Sequence, residues 1–244
     1  MLSIAGFDPS GGAGVLADCK TFEALETYGF GICSAITYQN DVTFQGVEWL
    51  QVAEMELQLE LLANRFDVSC AKIGLIQDLE QLDVVTNRLR ELWPEIKIVW
   101  DPILAASSGF VFHESMDFKV LQQVAQKFAL ITPNLVEIEK LAPGALIEDK
   151  ARELARVAPV LLKGGHAKGF LVTDIFFSGD NREQFESPRH ANAGKHGSGC
   201  VLSAAIAAHL ARGCSLQSAI EGSRAYTEKF LLSNKTALGF HGTL

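Results

Sequence analysis

The sequence has no surplus of positive charge. Lys and Arg number 21 against 29 Asp and Glu, for a formal net charge of −8. A protein that lives by holding nucleic acid carries a basic excess, so that class is set aside, and any phosphate-bearing ligand must be met by a local positive field. Long apolar runs are also missing. The longest stretch without Asp, Glu, Lys or Arg, residues 196–211, is too short to cross a bilayer and contains glycines and histidines. No membrane contact is expected. No basic residue precedes Lys20, so no signal peptide is expected either. Cysteine is sparse: Cys19, Cys33, Cys70, Cys200 and Cys214 are odd in number, scattered, and never in C-x-x-C spacing. This argues against a disulfide framework or a zinc site and points to a reducing cytoplasm. There is no Pro/Ser linker, repeat or break in composition, so residues 1–244 read as one domain.

What is present is a regular alternation. Short β-branched runs at 2–7, 32–39, 68–75, 96–102, 130–132 and 160–163 alternate with helical patterns at 14–28, 53–65, 79–92, 114–127, 136–141, 149–157, 200–212 and 216–231. Residues 170–177 and 184–188 read as a hairpin around the turn chemistry of Ser178-Gly179-Asp180-Asn181. The pattern predicts an α/β fold with a central, mostly parallel sheet flanked by helices. Ligands of such sheets bind beyond the carboxyl ends of the strands, where the unusual residues of this chain fall repeatedly.

Two glycine loops stand out. The first, Gly6-Phe7-Asp8-Pro9-Ser10-Gly11-Gly12-Ala13-Gly14, lets the backbone approach a ligand closely; as a plain tight turn it would need one glycine, not four. Gly12 to Ala17 matches the dinucleotide fingerprint G-x-G-x-x-A, but four residues separate it from the strand, which disfavours an oxidoreductase. The second loop, Lys195-His196-Gly197-Ser198-Gly199-Cys200, runs into an Ala-rich helix, whose N-terminus suits an anion. No P-loop motif occurs. Cys200 is expected as the first residue of that helix, with its thiol pKa lowered by the dipole, as a base or nucleophile; the alternative is a small buried hydrophobe. Gln39 ends an apolar strand and presents a donor and an acceptor side by side, suited to a ring nitrogen and its amino group. Asn134 and Glu137 share a helical face, as a Mg²⁺ pair working through waters or as an N-cap and an early-helix acid. Lys163 before two glycines suits phosphate, and Asp101 suits a metal or a backbone turn.

Taken in order, Ala5 to Gly14, Ala17-Asp18, Gln39-Asn40, Lys72-Ile73-Gly74, Asp101-Pro102, Thr132-Pro133-Asn134-Leu135-x-Glu137, Lys163-Gly164-Gly165-His166 and His196-Gly197-Ser198-Gly199-Cys200 resemble the hydroxymethylpyrimidine/phosphomethylpyrimidine kinases of thiamine synthesis, within the ribokinase-like superfamily. The resemblance covers almost the whole chain. It implies a three-layer sandwich, use of ATP and Mg²⁺, a cytoplasmic homodimer, and two successive phosphorylations: of 4-amino-5-hydroxymethyl-2-methylpyrimidine and then of its monophosphate. It implies that Gln39, Asp18, Gly12, Ala13 and Leu75 hold the pyrimidine. Gly197, Ser198 and Gly199 then form the anion hole, with Cys200 as the base. Lys163, Asn134 and Lys195 are implied at the phosphates, and Glu137 and Asp101 at the metal. The chain departs from the family's pattern at Ser198, where Thr is usual, and at Lys195, where Thr is also expected. A pyridoxal kinase of the same superfamily is the close rival, and a catalytically dead pyrimidine sensor is disfavoured by the intact Gly197–Cys200 loop.

Overall fold

The computed structural model describes residues 1–106, 108–165, 169–191 and 193–242; His166 of the Lys163 motif lies outside them. Nine strands form one sheet in the order β3-β2-β1-β4-β5-β6-β7-β8-β9. They are β1 (Leu2–Phe7), β2 (Phe30–Gln39), β3 (Phe44–Trp49), β4 (Cys70–Ile73), β5 (Lys97–Trp100), β6 (Leu130–Ile131), β7 (Val160–Leu162), β8 (Leu171–Ser178) and β9 (Asn181–Pro188). Strands β2, β1, β4, β5, β6 and β7 pair in parallel. The edges are antiparallel: β3 on β2, and β8 and β9 after β7.

The parallel strands read as continuous apolar runs because both faces are covered. Alternate residues serve two separate cores, as the pleat requires. Ala71, Ile73, Ile98, Trp100, Ile131, Val160 and Leu162 pack on one face, under α2 (Val52–Ala63), α3 (Leu79–Leu92), α4 (Phe118–Ala125), α5 (Leu135–Leu141) and α6 (Ile147–Ala155). Cys70, Val99, Leu130 and Leu161 face the other side, under α1 (Gly14–Ala24), α7 (Ser198–Ala211) and α8 (Leu216–Leu232). The α7 helix is apolar nearly all round because it lies between the sheet and the other two helices of its layer; its Val201, Ala204, Ala205, Ile206, Ala207 and Ala208 are fully buried. The result is the three-layer sandwich that the sequence pattern and the resemblance predict.

Several boundaries move for local reasons. The α1 helix stops at Ala24 rather than 28. Glu26 takes the left-handed conformation (φ 60°), and the Thr27 N–H closes back on the Phe22 carbonyl, a C-cap that glycine usually supplies. The α4 helix starts at Phe118 rather than 114, where the Asp117 carboxylate accepts from the N–H groups of Lys119 and Val120. The α7 helix starts at Ser198, two residues before the expected Cys200. Strand β3 is new.

Candidate active site

The first glycine loop follows β1, and the second leads into α7 in the layer beneath. They touch through backbone. At Gly197 (φ 73°) a Cβ would come 2.0 Å from the Gly12 carbonyl oxygen, and at Gly14 (φ 62°) 2.0 Å from that of Gly6. No side chain fits at either position. Asp8 completes the clamp. Its carboxylate accepts from the Ser10 and Ala13 N–H groups, from Ser10 Oγ, and from His196 Nε2 at 2.9 Å. Burial pushes the Asp8 carboxyl up, but the bonds from His196, Ser10 and Ala13 outweigh it and hold the group below its usual value.

Two cavities flank this junction. The first, of about 350 Å³, lies over the ends of β1, β2 and β4 and is bordered by Gly6, Ala13, Gly14, Thr37, Gln39, Phe44, Leu75, Asn134, Glu137, Lys163 and the run Lys195–Cys200. Its far wall is the segment after β5, from Ile103 to Ala106 and at Phe112. Phe44 on β3 and Phe112 both border the cavity and meet edge to face at 5.3 Å, and Phe110 packs 4.7 Å from Phe44. Among the described residues no hydrogen bond uses the Gln39 carboxamide, so it is open to a ligand. The second cavity, of about 290 Å³, lies between β8, β9, α7 and α8. Val172, Pro188, Leu202 and Leu231 give it apolar walls, and Thr227 Oγ1, buried on its border, has no hydrogen-bond partner among the described residues. Asn134, Lys163, Ser198 and Gly199 border both cavities.

At that junction α7 begins with Gly197 as N-cap. Ser198 N–H turns back to the Lys195 carbonyl at 3.3 Å, which leaves the N–H groups of Gly199 and Cys200 without a helical partner. Lys163 Nζ lies beside Gly199, 3.5 Å from where a Cβ there would stand, and sits 2.6 Å from Asp101 Oδ1 and 3.9 Å from Glu137 Oε2. Burial pulls the Lys163 ammonium down, but Asp101 and Glu137 outweigh this and hold it charged. Asn134 and Glu137 prove to be a reciprocal cap: Asn134 Oδ1 accepts from the Val136 and Glu137 N–H groups, and Glu137 Oε2 accepts from Asn134 N–H at 2.7 Å. Both nevertheless face the first cavity. Burial pushes the Glu137 carboxyl up to about 7 against the pull of Lys163.

Of the residues expected at the site, Gln39, Ala13, Leu75, Asn134, Glu137, Lys163, Gly197, Ser198, Gly199 and Cys200 converge on the first cavity. Four others lie behind the wall or are engaged by other residues of the chain. Gly12 lies behind the wall; a Cβ there would strike the His196 ring and Leu238. Asp18 is fully buried beneath the cavity, where both its oxygens meet Lys72 Nζ at 2.9 and 3.0 Å and Ser3 Oγ donates to it. Asp101 is likewise enclosed: Lys163 and Thr132 engage Oδ1 and Ser203 engages Oδ2, and it does not border the cavity. Lys195 borders the cavity, but its ammonium donates to Asn234 O, Asn234 Oδ1 and Thr236 O, all three donors serving to tie down the segment after α8.

Cys200 is the third residue of α7, not its first, and its thiol moves opposite to expectation. Burial pushes it up to about 11, helped by Asp101 and Asp18, against the pull of Lys72 and of the Gly14 N–H. Desolvation of a fully enclosed thiol outweighs the helix dipole. Thr37, Phe44, the 103–112 wall and the whole second cavity were not foreseen, nor was the bond of His196 to Asp8. The alternation of Phe44-Gln45-Gly46-Val47-Glu48-Trp49 was the available sign of β3.

Two chambers that meet at a helix N-terminus and a buried lysine, on a three-layer parallel α/β fold, define a ribokinase-like small-molecule kinase. The comparisons carry this to a family. The model of phosphomethylpyrimidine kinase matches residues 8–243, and the chain belongs to that family. It is 37% identical over 235 residues to the hydroxymethylpyrimidine/phosphomethylpyrimidine kinase of Rhizobium meliloti, covering 92% of this chain and 87% of that one. Among solved structures it resembles the phosphomethylpyrimidine kinase of Clostridium difficile, with a TM-score of 0.77 and 29% identity over 93% of this chain and 97% of that chain. It also resembles the pyridoxal kinase of Staphylococcus aureus in complex with AMP-PCP and pyridoxal, with a TM-score of 0.82 and 28% identity over 95% and 87%.

Proposed function

We propose that the chain transfers the γ-phosphoryl group of ATP to the hydroxyl of 4-amino-5-hydroxymethyl-2-methylpyrimidine and then a second one to the resulting monophosphate. The observation that carries this is the meeting of the two cavities at Asn134, Lys163, Ser198 and Gly199. The pyrimidine occupies the first cavity, with its aminopyrimidine edge on Gln39 and its ring between Leu75 and the Phe44 cluster. ATP occupies the second, its base against Val172, Leu202 and Leu231. The γ-phosphoryl group then lies at the junction, where the free N–H groups of α7 and the Lys163 ammonium meet the charge that spreads over it in the transition state. The hydroxyl oxygen attacks phosphorus, the bond to the ADP oxygen breaks, and the hydroxyl proton passes to the Cys200 sulfur, present as thiolate in the working form.

Mg²⁺ fits this junction through Glu137, the one carboxylate on the border of the first cavity, whose Oε1 no described residue engages. The described residues hold no group of three or more His, Cys, Asp and Glu placed to bind a metal, which suits an ion held mostly by phosphate oxygens and water. Held there, it would offset the negative charge of the phosphates. The same reading makes residues 1–244 one kinase domain and the chain a cytoplasmic homodimer. No described helix is long and apolar enough to cross a membrane. Pyridoxal is the competing acceptor, because the S. aureus pyridoxal kinase shares this fold.

Gln39→Ala tests the acceptor assignment. Losing two neutral hydrogen bonds to the base edge costs roughly 1–3 kcal/mol, about a 5- to 150-fold rise in KM for the pyrimidine. The KM for ATP stays unchanged. Unaltered pyrimidine affinity by calorimetry removes Gln39 from the site.

A further inference from the structure

Four lysines border the first cavity: Lys72, Lys140, Lys163 and Lys195. Three of them are already engaged, two by carboxylates and Lys195 by three neutral oxygens that take all its donors. Lys72 rests on both oxygens of Asp18, Lys163 on Asp101 with Glu137 nearby, and Lys195 on three oxygens of Asn234 and Thr236. Lys140 differs. It lies in the last turn of α5, half-buried, and its Nζ donates one hydrogen bond, of 3.2 Å, to the His113 carbonyl. Among the described residues no carboxylate pairs with it. Two of its three donors and its full charge therefore remain open. The His113 carbonyl fixes it in place at the end of the segment that walls the cavity, and His113 is itself anchored by Nε2 to the Ile76 carbonyl at 3.1 Å.

Resting on the two-step reading above, we propose that Lys140 is a specificity-determining residue that holds the phosphate of the monophosphate acceptor in the second transfer and contributes little to the first. The alcohol is neutral and gives an ammonium group nothing to pair with. The monophosphate brings close to two negative charges into a chamber whose other lysines are already engaged. Lys140 does not border the second cavity, so the nucleotide does not share the contact.

The test compares the full chain with its Lys140→Met and Lys140→Arg variants. Steady-state rates are measured with the alcohol and with the monophosphate, and binding of the monophosphate is measured by calorimetry without nucleotide. Lys140→Met is expected to lower kcat/KM for the monophosphate by about ten- to a hundredfold, the scale of a charge-assisted contact, with a matching loss of affinity. The alcohol reaction and the KM for ATP stay near wild type, and Lys140→Arg recovers most of the loss. An equal loss with both acceptors, or a monophosphate bound and turned over as in wild type, overturns the proposal. A wild-type chain that phosphorylates neither acceptor refutes the two-step reading instead, and the calorimetry still reports whether Lys140 holds the phosphate.

Discussion

Cys200→Ala binds the pyrimidine normally and lowers kcat by about 10²–10⁴, the range of a general base. Cys200 borders the first cavity one residue beyond Gly199; under the proposed function its sulfur would stand at the attacking hydroxyl, beside the N–H groups that would receive the phosphoryl. Its protonation sets the pH dependence. In the free chain burial lifts the thiol to about 11, so it is a neutral thiol at pH 7 and only a small fraction is the working thiolate. Since kcat/KM reports the free enzyme, kcat/KM for the alcohol climbs by nearly tenfold per pH unit from pH 7 to 10 in the wild type, and the climb is absent in Cys200→Ala. Iodoacetamide labelling of Cys200 follows the same limb; peptide mass spectrometry separates it from the half-exposed Cys19, Cys33 and Cys214. A profile that levels off by pH 8 means that the helix dipole, not burial, governs the thiol. A Cys200→Ala variant with the wild-type kcat reduces the residue to packing. Asp8 and Asp101 do not replace it as the base, since the hydrogen bonds described above already engage their oxygens.

Asp18→Ala destabilises the fold by about 3–5 kcal/mol, because it strands the Lys72 ammonium in a fully buried position. For a chain of this size that is a fall in Tm of roughly 6–20 °C. The pair is tightly matched. Burial pulls the Lys72 ammonium down and the Asp18 carboxylate outweighs it; burial pushes the Asp18 carboxyl up, and Lys72 and Ser3 draw it back. Asp18→Asn combined with Lys72→Met removes both charges while keeping volume, and recovers most of the lost stability. Thermal unfolding of the two variants side by side checks this. If Asp18→Ala melts with the wild type, Lys72 has another partner and the carboxylate belongs to the ligand, as the resemblance implied.

That reversal at Asp18 shows where sequence reasoning reaches its end. Strand β1 and helix α3 have the bounds expected of them because apolar periodicity and, at α3, an Asp78 cap coincide at those positions. The residues that converge on the first cavity were legible as strand-end and loop positions of a parallel sheet. The engagement of Lys195, Asp18 and Asp101 by other residues of the chain was not legible, because a sequence displays a charge without its partner. The partners, Asn234 and Thr236, Lys72, and Lys163 with Ser203, stand 39 to 102 residues away. The second cavity was invisible for a related reason. It arises between a hairpin and two helices that each read as ordinary structure, and a sign such as the Thr227 hydroxyl, without a partner among the described residues, exists only after packing. The shift of Cys200 from a lowered to a raised pKa has the same origin, since helix position is written locally and burial is not.

The central claim is that the first cavity is built for an aminopyrimidine alcohol and its phosphate. Its most direct test is a side-by-side measurement of kcat/KM, with saturating ATP and Mg²⁺, for 4-amino-5-hydroxymethyl-2-methylpyrimidine, its monophosphate and pyridoxal. The account predicts that both pyrimidines are phosphorylated, each with a higher kcat/KM than pyridoxal. Transfer to pyridoxal in preference to the pyrimidine alcohol, or no transfer to the alcohol at all, contradicts it.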